Sequence, residues 1–406
     1  MLMLMLGLAL AEPDVEMADS PTLASALVDN GLIDDGTSMY RRLIAQEPHG
    51  PMAASYQNGI VQALRQGDRL DETLDAIQVQ MRDFGPHSDW AYANAADPDR
   101  VSEANGFVEE NLRAVAEEHE EKAASLEGEP ALQALEIAYR AYQLYLDRFP
   151  DGNAAFDFHE SLADLLVRME RWEEAYTHYL AALELAPGSI DTGRCLDGAV
   201  AAATGSMNAT RAAGLPEPPA DLQMAVPPTP QHRMLLKALQ LSVDDHPDPA
   251  RANEALFKQG FLLYELRRYD QAVDRLLHAI QADPESRHGP VAAGLIFEAR
   301  TLQEAWTILE YETLDLYELE GFGNASYKRG LLAAHHRAIL RGMESRLEGK
   351  SLARAARKWL RKNPETDEGD LALHVQAMGW EQADKPKKAT KARARLEEEF
   401  PKSEYR

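Results

Sequence analysis

The sequence predicts an all-α fold, a solenoid of stacked antiparallel helix pairs with no sheet, and three observations carry that expectation. The first is a repeated phrase. In RWEEAYTHYLAALELAP (171–187), Trp172, Ala175, Tyr179 and Ala182 mark one apolar face of a helix that Pro187 stops. RYDQAVDRLLHAIQADP (268–284) repeats it, with Tyr269, Ala272, Leu276, Ala279 and Pro284 at identical offsets. The second is a spacing. An alanine and a proline stand twelve positions apart in both phrases, and again at Ala138/Pro150 and Ala389/Pro401. Alanine lets two helices approach closely, a bulky residue one turn later fills the next gap, and proline breaks the helix before the following unit. The third is an absence of strand patterns: apolar residues recur at helical period along the chain, and glycines and prolines fall between those periods.

Taken in order, 20–30 reads as a short helix, with Ser20-Pro21 supplying the cap and first-turn proline. Helices follow at 37–47, ended by Pro48, then at 52–66 and 70–84, the last two joined at Gly67-Asp68. The alanine signature is faint here, so this part reads as degenerate repeats. Residues 86–99 read as a loop carrying Trp90, Tyr92 and Asn94. A long helix over 101–126, acidic in its back half (EEHEEK), pairs with 131–149. The best repeat is 153–169 with 171–185, and an alanine-rich helix over 189–204 follows. From 207 to 230 prolines at 216, 218, 219, 227, 228 and 230 predict a non-helical, extended connection. Beyond it come 231–243, the second strong repeat (251–282), and 291–299 with 302–318, where Ala305 takes the small position. The last pairs are 326–347 with 351–362 and 370–383 with 386–400. The expected organisation is therefore a signal peptide at 1–11, degenerate repeats at 12–99, one sub-array at 100–206, a connection at 207–230 and a second sub-array at 231–406.

The 406 residues are 45% hydrophobic and 27% charged, as in soluble folded proteins. The formal net charge of -25 disfavours nucleic acid and anionic membrane as general partners. That total hides an asymmetry. Residues 323–406 hold 19 Lys+Arg and 12 Asp+Glu, a net of +7, which leaves -32 for the rest. The basic end is either a separate contact face or a surface whose charge has merely drifted. The opening MLMLMLGLALAEPD is an apolar run too short to span a bilayer, and Ala9-Leu10-Ala11 supplies a small-x-small cleavage pattern, predicting a mature start at Glu12. The run has no basic n-region beyond the Met1 amino group, and a misassigned start in front of a cytoplasmic protein is the competing reading. The single cysteine, Cys195, forms no intrachain disulfide. The last helix stops at Pro401, where another repeat would begin, so either the C-terminus is truncated or a partner covers that edge.

Helix pairs with this alanine and proline register resemble tetratricopeptide repeats, units of about 34 residues. Longer phrases extend the resemblance. FGPHSDWAYANAADPD, YQLYLDRFPDGNAAFDFHESLADLLVRMERWEEAYTHYLAALELAPGS and the proline stretch occur in an order similar to that of large tetratricopeptide proteins of myxobacteria and related deltaproteobacteria, including those of gliding motility. The resemblance runs from about Leu32 to Arg406. It implies a periplasmic or outer-membrane-associated scaffold for envelope proteins. The lipoprotein cysteine of such proteins is missing, so membrane association is expected only through partners.

Catalytic signals are weak. Asp191-Thr192-Gly193 matches one aspartic-protease triplet, but that chemistry needs two facing copies on strands, and a helix start is the simpler role. The twelve histidines form no H-E-x-x-H and no zinc spacing, and adjacent His335 and His336 diverge by about 100° on a helix. Cys195 lies in an alanine-rich helix, where a small buried residue is expected. Gly321-Phe322-Gly323 lacks the third glycine and the strand of a dinucleotide site. Two glycosylation triplets, at Asn208 and Asn324, are short enough to arise by chance. No enzyme activity, cofactor, metal or small-molecule substrate is expected.

What remains is a groove. In tetratricopeptide proteins the second, fifth, ninth and twelfth positions of each first helix point into it, which the resemblance carries to Asp157, Glu160, Asp164 and Val167 in one unit and Glu254, Phe257, Phe261 and Tyr264 in another. The Lys, Arg and Asn clamp of chaperone-binding members is absent from both. An acidic patch (Asp157, Glu160, Asp164) beside an aromatic one (Phe257, Phe261, Tyr264) favours a basic or amphipathic protein segment, unless the aromatics pack against neighbouring helices. The expected function is a non-catalytic protein-binding scaffold in a bacterial envelope complex. A cytoplasmic adaptor and the repeat region of a truncated envelope enzyme are the alternatives.

Overall fold

The computed structural model describes residues 20–186 and 192–406. The expected signal peptide, Pro187 and Asp191 lie outside them. The described residues form helices and turns, with no strand among them. Nineteen helices follow in order: α1 Pro21–Asp29, α2 Ile33–Gln46, α3 Ala53–Gln66, α4 Leu70–Asp83, α5 Asp89–Ala93, α6 Pro98–Ala124, α7 Glu129–Arg148, α8 Ala155–Arg168, α9 Trp172–Leu185, α10 Gly193–Ala213, α11 Pro230–Asp245, α12 Pro249–Glu265, α13 Tyr269–Ala282, α14 Gly289–Leu302, α15 Trp306–Glu318, α16 Ala325–Arg346, α17 Gly349–Lys362, α18 Gly369–Gln382 and α19 Pro386–Glu399. Consecutive helices pack antiparallel in two compact units divided between residues 188 and 189, with α1–α9 in the first and α10–α19 in the second. The all-α solenoid expected from the sequence is the observed architecture.

Five hairpins share one turn. The residue two before the second helix adopts a left-handed backbone in α3/α4 (Asp68, φ 53), α8/α9 (Glu170, φ 57), α12/α13 (Arg267, φ 54), α14/α15 (Glu304, φ 53) and α18/α19 (Asp384, φ 53). Each turn closes with the same three backbone bonds. In α8/α9 these are Met169 N–H to Leu165 O, Glu170 N–H to Val167 O and Arg171 N–H to Leu166 O, which satisfy carbonyls the helix end would leave open. The recurrence fixes a common register. Four residues after the turn's last member, Thr73, Ala175, Ala272 and Ala389 occupy the same buried place, and Ala138 is likewise fully buried in α7. At Gly260 the approach is close as well, since a Cβ there would stand 2.7 Å from Leu276 Cγ across the α12/α13 pair.

In α14/α15 the place belongs to Leu309. Ala305, expected there, is the N-cap of α15. Leucine holds the pair further apart than its counterparts, and a polar link spans the gap. Arg300, 8% exposed, donates to both carboxylate oxygens of Glu312 and to Asp270 Oδ1 at 2.7 Å. That bond to Arg300 holds the Asp270 carboxyl below its usual range.

Two segments depart from expectation. Residues 86–99 are not all loop: Asp89–Ala93 forms one short helix capped by the Ser88 hydroxyl. Trp90 is 1% exposed, packs edge-on to Phe84, and donates its indole N–H to Gly50 O at 2.8 Å. Asn94 donates to His49 O beside it. A five-residue helix carries too few turns to show a period, so its burial was not visible. The second departure is α10, which stays helical through 207–213 and ends at Gly214 (φ 104) ahead of the first proline. The rest of the proline-rich stretch runs extended along hairpin turns of the second unit. Val226 N–H bonds Leu266 O, the Arg267 guanidinium donates to the carbonyls of Pro219 and Asp221, the Tyr269 hydroxyl donates to Leu222 O, and the Gln223 amide donates to Leu302 O.

Candidate functional site

The common turn defines which side chains share a face. Counting back from Glu170 and from Arg267 pairs Asp157 with Glu254, Glu160 with Phe257, Asp164 with Phe261, and Val167 with Tyr264. The candidates thus occupy equivalent positions, but they fall in different units, Asp157, Glu160 and Asp164 in the first and Phe257, Phe261 and Tyr264 in the second.

In the first unit the face is polar and already cross-linked. Asp157 is exposed, and Arg113 of α6 stands 3.8 Å from it while also covering the Phe158 ring. Arg168 of α8 reaches back to Glu120 of α6 at 2.7 Å. Asp164 accepts a hydrogen bond from the Tyr179 hydroxyl of α9, its own hairpin partner. Glu160 is half-buried. The equivalent face of α3 is tied to α6 in the same manner, by Asn111 donating to Asn58, Gln62 donating to Asn111, and the Arg65–Glu118 ion pair. Of the three expected groove carboxylates, Asp157 thus faces a cation and Asp164 accepts from a hydroxyl.

The second unit differs. Phe257 stacks on His288 at 4.6 Å, and both Phe257 and Tyr264 pack against the core built from α13, α14 and α15. Tyr264 also sits 5.6 Å from the Tyr269 ring, and burial, then Glu298, pushes its hydroxyl pKa upward. Two of the three aromatics are therefore structural. Phe261 is open, with 40% of its surface exposed.

The turn register extends the face to α14, which packs beside α12. Its equivalent positions are Val291, Gly294, Glu298 and Thr301. Val291 is 53% exposed, and a Cβ placed on Gly294 would meet nothing within 4 Å. Glu254 is bonded to Lys258 at 2.8 Å, a contact that lowers its carboxyl pKa. The face thus combines an apolar opening at Phe261 and Val291 with the carboxylates of Glu254 and Glu298. The α14 half escaped the sequence reading, because the turn Gln303-Glu304-Ala305 copies Leu266-Arg267-Arg268 in its backbone bonds and not in its residue types.

The other candidate groups resolve into packing. Cys195 is buried in α10, and Thr192 and Gly193 open that helix. His335 contacts the Glu310 carbonyl and His336 the Thr366 hydroxyl, in different directions. Asn324 caps α16. Among the described residues no three His, Cys, Asp or Glu side chains come together as a metal site, and no helix is long and apolar enough to cross a membrane.

No family model matches this chain, and no curated protein matches it. Among solved structures it is similar to yeast Tom70, at 14% identity over 94% of this chain and 86% of that one, with a TM-score of 0.23. It is also similar to the TPR domain of P58(IPK), at 11% identity over 95% and 93% with a TM-score of 0.23. A third likeness is to Naa15/Naa10 bound to HypK-THB, at 13% identity over 95% and 64% with the same score. Superpositions of this quality add nothing to the helical architecture already described.

Proposed function

We propose that this chain is a non-catalytic tetratricopeptide-type scaffold that binds a protein segment on the face of α12 and α14. The observation that carries the reading is Phe261, a large aromatic left open on a face whose other aromatics are packed away. Val291 widens the apolar opening, and Glu254 and Glu298 border it. An amphipathic segment fits this chemistry, inserting an apolar side chain at Phe261 and presenting basic groups to the two carboxylates. The opening MLMLMLGLALAEPD supports export, and the order of segments resembling envelope proteins of gliding bacteria supports a place in an envelope complex.

Phe261→Ala tests the site. Truncating an open ring is expected to weaken capture of partners from an envelope fraction at least about tenfold while shifting stability by under about 1 kcal/mol. A large stability loss with unchanged capture makes Phe261 a core residue and removes the site. N-terminal sequencing of the protein purified from its own source tests the location separately: a start at Glu12 supports export, and an intact Met1 supports a cytoplasmic adaptor.

A further inference from the structure

Helix α17 reads GKSLARAARKWLRK. Its apolar residues Leu352, Ala353, Ala356 and Trp359 are buried, three of them in one cluster with Leu371 and Val375 of α18. Its other side carries Lys350, Arg354, Arg357, Lys358, Arg361 and Lys362, all exposed. Their spacing places them on one continuous stripe, and the helix contains no acidic residue. Ala353 shares a second buried cluster with Ala389 of α19 and Trp380. Ala389 of α19 thus shares a small core with α17 around Trp380 of α18, and the same half of α19 carries the exposed Lys387 and Lys391.

None of these cations takes part in an ion pair among the described residues, although the chain holds 67 acidic against 42 basic residues. Several other cations of this unit are answered: Arg300 by Asp270 and Glu312, Arg337 by Glu368, Arg341 by Glu344, and Arg393 by Glu381. Like charges one turn apart, such as Lys350, Arg354, Lys358 and Lys362, repel one another and weaken the helix that bears them. A stripe that is unpaired in an acid-rich chain, and unfavourable to its own helix, matches the opposite charge of something outside it.

We propose that the basic face of α17, continued onto the first half of α19, docks an acidic segment of a partner protein. The stripe spans thirteen residues, about 18 Å of helix from Lys350 to Lys362, which suits a short run of Asp and Glu. A nucleic-acid duplex or an anionic membrane extends well past that length, and would meet the field of a chain whose other 322 residues carry a net of -32. The buried apolar side of α17 also leaves no hydrophobic surface for a bilayer. This face is separate from that of α12 and α14, and its test uses different variants, so either assignment can fail alone.

The test uses the full chain and a labelled Glu-rich peptide of about fifteen residues, followed by fluorescence anisotropy at low and moderate salt, about 50 and 300 mM. The native protein is expected to bind the peptide at low salt and to lose affinity as salt rises. The quadruple variant Arg354→Gln, Arg357→Gln, Lys358→Gln, Arg361→Gln should bind at least about tenfold more weakly with unchanged helicity and equal or higher melting temperature, and Phe261→Ala should bind like the native protein. No binding at low salt overturns the proposal, as does equal binding by the quadruple variant. Tighter binding of a short DNA duplex, or of vesicles containing anionic lipid, through the same residues reassigns the face to that partner. Self-association that the quadruple variant abolishes assigns it to a second copy of the chain.

Discussion

Two glycine substitutions at equivalent turn positions should change stability in opposite directions. Glu170 and Arg267 both hold a left-handed backbone, at φ 57 and φ 54. For a side-chain-bearing residue that conformation costs about 1–2 kcal/mol. Glycine removes the strain but adds about 0.5–1 kcal/mol of backbone entropy to the unfolded chain. Glu170 is exposed, and its side chain makes no hydrogen bond or ion pair among the described residues. Glu170→Gly should therefore leave stability unchanged or raise it by up to about 1 kcal/mol. Arg267 starts from the same backbone but holds the proline-rich strap, donating to Pro219 O and Asp221 O at 2.7 Å each. Hydrogen bonds from a charged donor contribute about 1.5–3 kcal/mol apiece before allowance for partial exposure. The loss outweighs the relieved strain, and Arg267→Gly should cost about 1–3 kcal/mol. Urea denaturation followed by far-ultraviolet circular dichroism measures the totals, and amide hydrogen exchange localises the effect. The Val226 amide, bonded to Leu266 O at 2.9 Å, should lose protection in Arg267→Gly and keep it in Glu170→Gly. A stabilising Arg267→Gly, or unchanged protection across 214–229, refutes the assignment of Arg267 as the anchor of the strap.

Two other outcomes are expected. Ala175→Trp and Ala272→Trp place an indole where the native side chain is fully buried between paired helices, and each should cost about 1–3 kcal/mol; unchanged denaturant midpoints in both would show that the repeat register is misplaced. His159 and His178 face each other across α8/α9 with their Nδ1 atoms 2.8 Å apart, and burial first, then the neighbouring ring, pulls His178 down to about 4. His159 is lowered by burial as well. The unfolded chain takes up protons near pH 6.5 that the folded pair refuses, so stability is constant above that pH and falls as pH drops towards 4. Partial exposure limits the loss to about 1–3 kcal/mol. His178→Asn should flatten the slope between pH 6.5 and 5, before the carboxylates titrate, and an unaltered slope there removes the pair as its cause.

The fold was legible where a residue type and its geometry coincide. Ala175 with Pro187 and Ala272 with Pro284 announce their hairpins because alanine marks the close approach and proline the stop. In α3/α4 and α14/α15 the same turn is built on Thr73 and Leu309, with Gly85 and Gly321 standing twelve positions later. Those hairpins match their relatives in backbone yet carry none of the signature. The turns themselves hide equally well. Their left-handed residues are Asp68, Glu170, Arg267, Glu304 and Asp384, so no glycine flags them, and the three closing bonds are visible only once the helices are placed. The end of α10 shows the opposite error, since the prolines that change the composition begin only at Pro216, and 207–213 remain free to be helical.

Charge was the least legible property, because sequence shows where charges lie and not whether they are answered. Asp157 meets Arg113 across 44 positions and Glu120 meets Arg168 across 48, so some of the acidic charge near this face is answered by residues on another helix. The cations of α17 look locally no different from Arg393 or Arg395, which pair with Glu381 and Glu399. Only the folded arrangement separates answered from unanswered charge. In a chain with a formal charge of -25, α17 carries six exposed cations with no ion pair among the described residues. A partner chosen by electrostatics should then be sought among acidic segments at α17, while a partner chosen by apolar contact should be sought at Phe261. The two faces make separable demands, and the quadruple α17 variant and Phe261→Ala should lose different partners.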